Sequence, residues 1–293
     1  MRKLTPTLAV NLLGLPDVQS VMHWLDRIGG MVRRVDELTH MDSEPSLGSV
    51  MDYPLVYEDE FGTVETTCRS DGHGFVFRLR GRTFRGRSFD CLWVDGSEMT
   101  DLPRDLFPVK SYGPENEFGD LIAKFTIKLP LDVLGAAEPA GQLVLSFDCR
   151  DGDMVEGILT VDGAVYTQTS CGWVEGNLIG LQRQLPAGVF LACCLSCRCS
   201  QFNPAGAQDI GSLGCFVDWP DMAAVSNKAE ASKGDVFRAW HEAQDQGKLQ
   251  LVQETWLCPR FRLIQPGEPA YKDWDFFVYG KDGRVPPARE PGQ

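Results

Sequence analysis

No uninterrupted apolar stretch in the sequence reaches the roughly 18 residues that a helix needs to cross a bilayer. The N-terminal segment MRKLTPTLAVNLLGLPD has two basic residues and a short apolar run, but Thr5, Pro6 and Asn11 interrupt that run. No small-residue cleavage site follows, as a secretory signal would require. We therefore expect a cytoplasmic protein that does not enter a membrane.

The sequence also lacks the short motifs of common catalytic sites. It has no G-x-S-x-G elbow, no P-loop, no H-E-x-x-H and no dinucleotide-binding glycine pattern. Only four histidines occur in 293 residues, which leaves few candidates for proton transfer. We accordingly predict that the protein acts by binding and has no catalytic residues.

An enzyme of unknown reaction is the alternative, and two places in the sequence suit it. Asp71 and His73 flank Gly72 in a predicted hairpin turn, where an acid–base pair could be exposed, although Asp-Gly more often serves only the turn. Glu254 and Glu175 are carboxylates suited to general acid–base chemistry, but no pattern in the sequence brings them together.

Basic residues are fewer than acidic ones. The sequence has 28 Lys and Arg and 41 Asp and Glu, so the formal net charge is −13. A field of that sign repels phosphate backbones and anionic membrane surfaces and attracts basic proteins. We therefore expect neither nucleic acid nor membrane as a partner, and favour a basic protein. An acidic composition without functional meaning is the alternative, and no feature of the sequence indicates an oligomeric state.

Alternation of apolar and polar residues predicts a mainly antiparallel β protein. The clearest example is 123–129, AKFTIKL, where Phe125 and Ile127 point to one side of a strand and Lys124 and Lys128 to the other. Short strands of this kind, each with one apolar face, indicate an antiparallel sandwich or a strongly bent sheet. The other predicted strands of this region, with turns at Phe61-Gly62, Gly81, Asp151-Gly152 and Asp162-Gly163, are 55–59, 63–69, 75–80, 82–89, 142–149, 154–161 and 164–170.

Helical periodicity is rare in the sequence, so we predict the fold class α+β with a few short helices. Predicted elements outside the β-rich region are helices over 16–30, 174–185 and 234–247 and strands over 188–194, 249–258 and 273–280. The predicted divisions are an accessory helix and linker (1–50), a β-rich domain (51–186), a cysteine-stapled α+β subdomain (187–280) and a disordered tail (281–293).

Cysteines are concentrated in the segment CCLSCRCS, residues 193–200. Thiols stay reduced in the cytoplasm, so clustered cysteines indicate a metal site or a core rather than disulfides. Cys194 and Cys197 form a C-x-x-C, half of a tetrahedral zinc site. Cys215 and Cys258 lie beside Gly and Pro at places where the chain turns, and are candidates for the other half. Four thiolates leave no open position, so we predict one structural zinc per chain.

Other interpretations of this segment stay open. Cys199 can replace one of the four ligands and form a C-x-C with Cys197. Redox chemistry at the C-x-x-C is less favoured, because no βαβ pattern of the thioredoxin kind precedes it. The absence of any metal is the third alternative. Cys193 is interpreted as a core residue, like the scattered thiols of Cys68, Cys91, Cys149 and Cys171.

Three segments around these cysteines resemble an uncharacterised bacterial family, a domain of unknown function. They are CLSCRCSQFNP (194–204), GSLGCF (211–216) and VQETWLCPRF (252–261). The family pattern has a C-x-x-C, a later Met-Cys-Phe and an E-T-x-x-C-P-E-F element. Upstream, YEDEFGTVETTCRSDGH and GWVEGNLIGLQRQLPAGVFL are also similar to the family, so the likeness covers roughly 53–265. It implies that the cysteines at 194, 197, 215 and 258 form one set, and it implies no activity.

The sequence departs from the family pattern in two places. The family's Ser-Asp-Tyr-Ser-Pro is replaced here by SQFNP (200–204), which has no acidic residue, and a later glycine-rich element is replaced by LIQPGEPAYKDW (263–274). A ligand-binding role of that later element therefore does not carry over. Taken together, we expect a zinc-stabilised binding protein, in its most concrete form an immunity-type or antitoxin-like protein that masks a basic effector with an acidic surface.

Overall fold

The computed structural model of the chain describes residues 50–112, 118–150, 154–203, 209–219 and 233–263. All of them belong to one compact unit that spans 46–293. The predicted helix at 16–30, the linker that follows it, the turn at Asp151-Gly152, the strand at 273–280 and the tail lie outside the described residues. No helix within the described ranges is long and apolar enough to cross a membrane.

Fifteen strands and two α-helices make up the described part of the chain. The helices are α1 (Val174–Gln184) and α2 (Lys233–Asp245), and short 3-10 turns occur at Met99–Asp101 and Cys194–Ser196. The strands are β1 (Met51–Asp59), β2 (Gly62–Ser70), β3 (Phe75–Leu79), β4 (Arg82–Ser88), β5 (Cys91–Val94), β6 (Val109–Tyr112), β7 (Phe118–Leu121), β8 (Lys124–Leu134), β9 (Ala140–Asp148), β10 (Met154–Val161), β11 (Ala164–Cys171), β12 (Phe190–Ala192), β13 (Ser200–Gln201), β14 (Leu213–Cys215) and β15 (Gln250–Val252).

Ten of these strands form a single antiparallel sheet in the order β11-β10-β9-β8-β1-β2-β3-β4-β5, with β12 paired to the end of β8. The mainly antiparallel α+β class predicted from the sequence is confirmed. The long strands share one hydrogen-bonded sheet, and the rings of Phe77 on β3 and Phe125 on β8, three strands apart, have centroids only 6.1 Å apart, as in a strongly bent sheet. Two small sheets accompany it, β6-β7 and β13-β14-β15.

Two tight hairpin turns occur where the sequence predicted turns, at Gly81 and at Asp162-Gly163. Arg80 and Gly81 join β3 to β4 with φ angles of 47° and 82°, and Asp162 and Gly163 join β10 to β11 with 51° and 72°. Positive φ at both central residues is the type I′ geometry whose twist matches that of paired strands. Gly and Asp tolerate this region, whereas Arg80 adopts it at a cost that its side-chain contacts offset.

One face of the large sheet carries the hydrophobic core. In β8, Phe125, Ile127 and Leu129 are buried while Lys128 is exposed, as the alternation in the sequence predicted. Aromatic rings fill the centre of this core, and the ring centroids of Phe89 and Phe125 are 4.6 Å apart in a stacked arrangement. Such pairs contribute about 0.5–1.5 kcal/mol each beyond the burial of their area.

Strands β12 and β15 are shorter than predicted, and both predictions at 188–194 and 249–258 were wrong in extent. Strand β12 ends at Ala192, because the next residues form a 3-10 turn closed by the Cys197 N–H on the Cys194 carbonyl, 3.1 Å. Strand β15 ends at Val252, because the backbone beyond it bonds to loops instead of a ladder. The Gln253 N–H, for example, donates to the Gly72 carbonyl at 2.8 Å.

Described residues between β12 and residue 263 pack against the large sheet. Leu213 and Trp256 belong to the same buried cluster as the sheet residues, so the core is continuous across the predicted boundary at 186/187. Helix α2 covers the three-stranded sheet with Trp240, whose ring lies against Gly214. A Cβ on Gly214 would stand 2.4 Å from that ring, which explains the need for glycine at this position.

Candidate metal centre

The four cysteines predicted as ligands come from three separate segments. Cys194 opens the 3-10 turn after β12, Cys197 follows that turn, Cys215 ends β14 and Cys258 lies beyond Trp256. All four side chains are buried. Because β12 ends before them, Cys193 and Cys194 do not point to opposite sides of a strand, and Cys193 is buried in the core as predicted.

The structure brings these four thiols together. Cys194 and Cys258 form a thiol–thiol hydrogen bond, and Cys194 also interacts electrostatically with Cys197 and Cys215. Cys215 interacts in turn with Cys197 and Cys258, and Cys197 with Cys258. Every pair among the four thiols is therefore within interaction range, although the sequence separates Cys197 from Cys258 by 61 positions.

As the side chains stand, the thiols form hydrogen-bonded pairs rather than one tetrahedron. One pair is Cys194 with Cys258, and the other is Cys197 with Cys199. Within the ranges that the structure describes, no three or more His, Cys, Asp or Glu side chains are gathered closely enough to hold a metal ion. A tetrahedral site with Zn–S bonds of about 2.3 Å requires the pairs to merge. Zinc binding by these cysteines thus stays a prediction.

A hydrogen bond between two thiols lowers the pKa of one partner and raises the pKa of the other. The Cys194 thiol lowers the pKa of Cys258 to about 6, and the Cys199 thiol lowers that of Cys197 to about 7. The same bond to Cys258, together with burial, raises the pKa of Cys194 well above its ordinary value. Burial raises that of Cys215 to about 11. Two of the thiols are therefore close to the thiolate form that binds metal at neutral pH.

Backbone hydrogen bonds hold the segments of the thiol cluster in place. The Cys194 N–H donates to the Trp256 carbonyl at 2.6 Å, and the Leu195 N–H donates to that of Glu254 at 3.0 Å. Ser200 pairs with Cys215 across β13 and β14. The thiols thus lie on a scaffold that main-chain bonds fix independently of the sulfur atoms.

Glu254 is fully buried beside this scaffold, and its carboxylate binds a loop. Its oxygens accept the N–H groups of Gly211 at 2.6 Å, Ser212 at 3.0 Å and Leu213 at 3.1 Å. Burial raises the pKa of Glu254 to about 7, against the opposing effect of these donors. Three successive backbone donors around one carboxylate form a structural clamp that occupies three of its roughly four acceptor positions.

Glu175, in the first turn of α1, lies beside this clamp. The Ser212 hydroxyl donates to Glu175 Oε1 at 3.3 Å, while the buried Oε2 atom has no hydrogen-bond partner within the described part of the chain. Burial, followed by the charge of Glu254, raises the pKa of Glu175 well above its ordinary value. The structure therefore brings together the two carboxylates that the sequence could not place.

Asp209 is a buried acid that sequence reasoning missed. Both of its carboxylate oxygens accept the Phe89 N–H at 3.1 Å, and its carbonyl accepts the Val174 N–H at 2.9 Å. Burial and the nearby Asp90 raise its pKa well above the ordinary value. Gly211, two residues further on, has a φ of +83°, which glycine adopts readily.

Asp71 and His73 are in the β2–β3 turn, as predicted. The Asp71 Oδ1 atom accepts the N–H groups of His73 at 2.9 Å and Gly74 at 3.1 Å, so this carboxylate shapes the turn. The His73 Nδ1 atom lies 3.0 Å from the Leu251 carbonyl oxygen. Asp71 Oδ1 and His73 Nδ1 thus face backbone groups, whereas the buried His73 Nε2 atom has no hydrogen-bond partner within the described residues.

A narrow, half-open depression lies on the surface near Asp209. Its walls include Phe147, Cys149, Met154 and Val155. Neither Glu254 nor His73 lines this depression. Asp209 is the buried acid that lines it.

Comparison with protein-family models matches residues 51–200 to a family of unknown function, DUF6304. The chain belongs to this family. No curated protein and no solved structure matches the chain. The DUF6304 match includes the whole ten-stranded sheet together with Cys194 and Cys197, and it ends before Cys215 and Cys258. The expected resemblance to an uncharacterised domain is confirmed, whereas the four-cysteine motif that was to accompany it stays a prediction.

Proposed function

We propose that this chain is a non-catalytic, zinc-stabilised binding protein of the cytoplasm. The observation that carries the non-catalytic part is the clamp at Glu254, where both carboxylate oxygens are occupied by three backbone N–H groups. Asp71 is similarly used by its own turn. The side chains best suited to acid–base chemistry thus serve the fold, and an enzyme built around them is the weaker alternative.

One structural zinc per chain is the cofactor in this proposal, held by Cys194, Cys197, Cys215 and Cys258. The donor set suits zinc, since four buried thiols within electrostatic range of one another are the soft ligands of a closed tetrahedral site. Bound zinc would fasten the turn after β12 to the segment beyond Trp256. Because the unfolded chain has no preformed site, the binding free energy would add to that of folding.

Zinc analysis of the purified chain tests this cofactor. We expect one zinc per chain in the wild type and its loss, with a lower melting temperature, in Cys194→Ser and Cys258→Ser. Cys91→Ser is the matched control, because that thiol is exposed on β5 and belongs to no thiol pair described above. A wild-type chain without zinc, or two serine variants that keep it, would overturn the proposal.

A basic protein is the proposed partner, and an immunity-type or antitoxin-like role is its most concrete form. The net charge of −13 supports this partner, because opposite charges accelerate encounter and favour the correct orientation. Nucleic acids and anionic membrane surfaces are negatively charged, so the acidic chain repels them. Such an interaction weakens with salt, since the screening length shortens from about 30 Å at 0.01 M to about 10 Å at 0.1 M ionic strength.

Isolation of the tagged chain from its own cells at low salt tests the partner. We expect one stoichiometric basic protein, and reconstitution of the purified pair by calorimetry should show an affinity that falls as salt is added. A purified chain that turns over a substrate, with activity abolished by Glu254→Gln while the circular dichroism spectrum is unchanged, would instead establish the enzyme.

A further inference from the structure

The large sheet ends at strand β11, whose outer edge has no partner strand among the described residues. Its sequence, AVYTQTSC, has no charged residue and no proline, although such residues usually protect a sheet edge from pairing with another chain. The edge strand at the opposite end, β5, has four residues and lies between Asp90 and Asp95. Strand β11 has eight residues, so it is the better template for an added strand.

The register of the β10–β11 hairpin identifies the backbone groups that face outward. Val161 and Ala164 close the two-residue turn, so they exchange hydrogen bonds, and bonded and non-bonded pairs alternate from there. The N–H and carbonyl groups of Val165, Thr167 and Thr169 therefore point away from β10. Within the described residues, none of these three N–H groups has a hydrogen-bond acceptor. Three alternate residues thus offer a hydrogen-bond ladder to another strand.

Two side-chain amides occupy part of this edge. The Gln184 amide donates to the Thr167 carbonyl at 2.9 Å, and the Gln168 amide donates to the Thr169 carbonyl at 2.9 Å. A carbonyl oxygen has two lone pairs, so each can accept a backbone N–H as well. Both bonds are exposed, so water can take the place of either amide when a strand approaches. The amides therefore do not close the edge.

Two copies of β11 are complementary to each other about Thr167. In an antiparallel pair, Thr167 lies opposite Thr167 of the second copy, Val165 lies opposite Thr169, and each pair exchanges two backbone hydrogen bonds. The side chains of these residues are exposed, and β-branched and Thr–Thr cross-strand pairs stabilise a sheet. A chain of net charge −13 repels its own copies, and β11 supplies an uncharged surface at which they can meet.

Helix α1 has space for this arrangement. Asn177 donates to the carbonyls of Val155 and Gln168, so the helix lies above the gap between β10 and β11. The same helix of the second copy would lie two strand spacings away, about 9.6 Å. Packed helices are separated by about 8–10 Å. The flank of α1 above β11 is also narrow, because Gly176 and Gly180 lie there against Ser170 and Gln168.

We propose that the chain forms a two-fold symmetric dimer in which the β11 edges of two copies pair antiparallel about Thr167. The two large sheets then form one continuous sheet across the dimer axis, and neither β11 edge stays open. This inference goes beyond the proposed function and requires neither zinc nor a basic partner. Its consequence for binding is that a partner meets two copies of the same acidic surface.

Size-exclusion chromatography with light scattering tests the dimer. We expect the wild type to have twice the mass of one chain, and Thr167→Lys and Thr167→Glu each to have half that mass, because like charges then face each other across the axis. An equimolar mixture of the two variants should recover the dimer, since the opposite charges pair. Thr67→Lys is the matched control and should stay dimeric, because Thr67 is exposed on β2, a strand paired on both sides.

Several results would overturn the proposal. A wild type with the mass of one chain does so, and hydrogen exchange then identifies what covers the edge. Protected amides at Val165, Thr167 and Thr169 in such a monomer would mean that another segment of the same chain pairs with β11, for which the predicted strand at 273–280 is the candidate. A dimer that Thr167→Lys leaves intact shows that the copies meet elsewhere. A mixture that stays monomeric, although both variants keep the wild-type circular dichroism spectrum, overturns the register about Thr167.

Discussion

The indole ring of Trp256 lies flat against the backbone of Gly72, so closely that a Cβ on Gly72 would stand 2.5 Å from the ring. Gly72 is in the β2–β3 turn, and its carbonyl accepts the Gln253 N–H at 2.8 Å. The Ser70 hydroxyl donates to the Gln253 side chain at 2.8 Å. The turn of the large sheet and the segment before Cys258 therefore dock through a contact that leaves no room for a side chain.

Gly72→Ala is predicted to destabilise the protein through this contact. The φ angle of Gly72 is +87°, which costs an alanine about 1–2 kcal/mol, and displacement of the indole adds about 1–3 kcal/mol of overpacking. Gly81→Ala is the matched control, because Gly81 has a φ of +82° and open space around its missing side chain. Urea unfolding should show a larger decrease in the free energy of unfolding for Gly72→Ala than for Gly81→Ala. Equal decreases would mean that the contact with Trp256 contributes nothing to stability.

Asp59→Ala is predicted to cost about 3 kcal/mol, because it leaves the partly buried guanidinium of Arg80 without its counter-charge. The Asp59 carboxylate accepts bonds from Arg80 at 2.5 and 2.8 Å and from the Tyr57 hydroxyl at 2.8 Å. Its side chain is 0% exposed and that of Arg80 is 15% exposed. These contacts also hold Arg80 in its unfavourable positive-φ turn.

A second ion pair on the same sheet supplies the control for this prediction. Arg69 and Asp52 are joined at 2.9 Å, but their side chains are 66% and 53% exposed. Water and salt screen such a pair, so Asp52→Ala should leave the unfolding midpoint unchanged. Similar losses of stability in Asp52→Ala and Asp59→Ala would show that burial of the Asp59–Arg80 pair has no energetic consequence.

Asn177→Ala is predicted to loosen helix α1 from the sheet. The Asn177 amide donates to the carbonyls of Val155 at 3.1 Å and Gln168 at 2.7 Å, so it bridges β10 and β11 from the helix side. Its removal leaves two acceptors without their donor and should cost about 1–3 kcal/mol. Gln184→Ala removes an exposed bond to the Thr167 carbonyl and should cost far less. Thermal unfolding of the two variants tests the difference.

Much of the large sheet could be predicted from the sequence because the information there is local. A strand with one buried face alternates at period two, so β8 and β10 are visible in their own residues. The turn at Asp162 and Gly163 is equally local, since its positive φ angles restrict the residue types. Helix α1 ends at Gln184, shortly before Pro186, as helix-stop chemistry requires.

The segment beyond Val252 was predicted incorrectly because its conformation depends on distant partners. The side chains from 253 to 256 are apolar or buried in a pattern that resembles a strand. The backbone groups of Gln253, Glu254 and Trp256 nevertheless bond to those of Gly72, Leu195 and Cys194, in that order. No local pattern encodes such bonds. The same reason explains why Glu175 and Glu254 could not be paired from the sequence, since the loop at Ser212 joins them.

The thiol cluster could be predicted in part, because it depends on both local spacing and distant segments. The short spacing of Cys194 and Cys197 predicted a shared site, and turns at Cys215 and Cys258 suggested where the chain returns to it. In the structure the four thiols lie within electrostatic range of one another, with a hydrogen bond between Cys194 and Cys258. The contact of Cys199 with Cys197 was foreseen only as an alternative ligand, because sequence spacing does not say which of two nearby sulfur atoms faces the cluster.

Glu175→Gln is predicted to change how stability depends on pH. Burial and the charge of Glu254 raise the pKa of Glu175 in the folded chain, whereas the unfolded chain has the ordinary value of about 4.3. Above that value the unfolded chain releases a proton that the folded chain retains. Stability from this group is therefore complete below about pH 4.3 and is lost as pH rises toward the folded pKa.

Glutamine at position 175 cannot ionise in either state, so the variant should gain stability relative to the wild type as pH rises, by at most about 1.4 kcal/mol per pH unit. The groups that face this carboxyl are Ser212 and Glu254, and both remain in the variant. Glu156→Gln, on the exposed face of β10, is the control and should leave the pH dependence as it is. Urea unfolding from about pH 5 to about pH 8 measures the slope. A slope that Glu175→Gln leaves unchanged would mean that Glu175 is ionised in the folded chain, with Oε2 hydrated despite its burial.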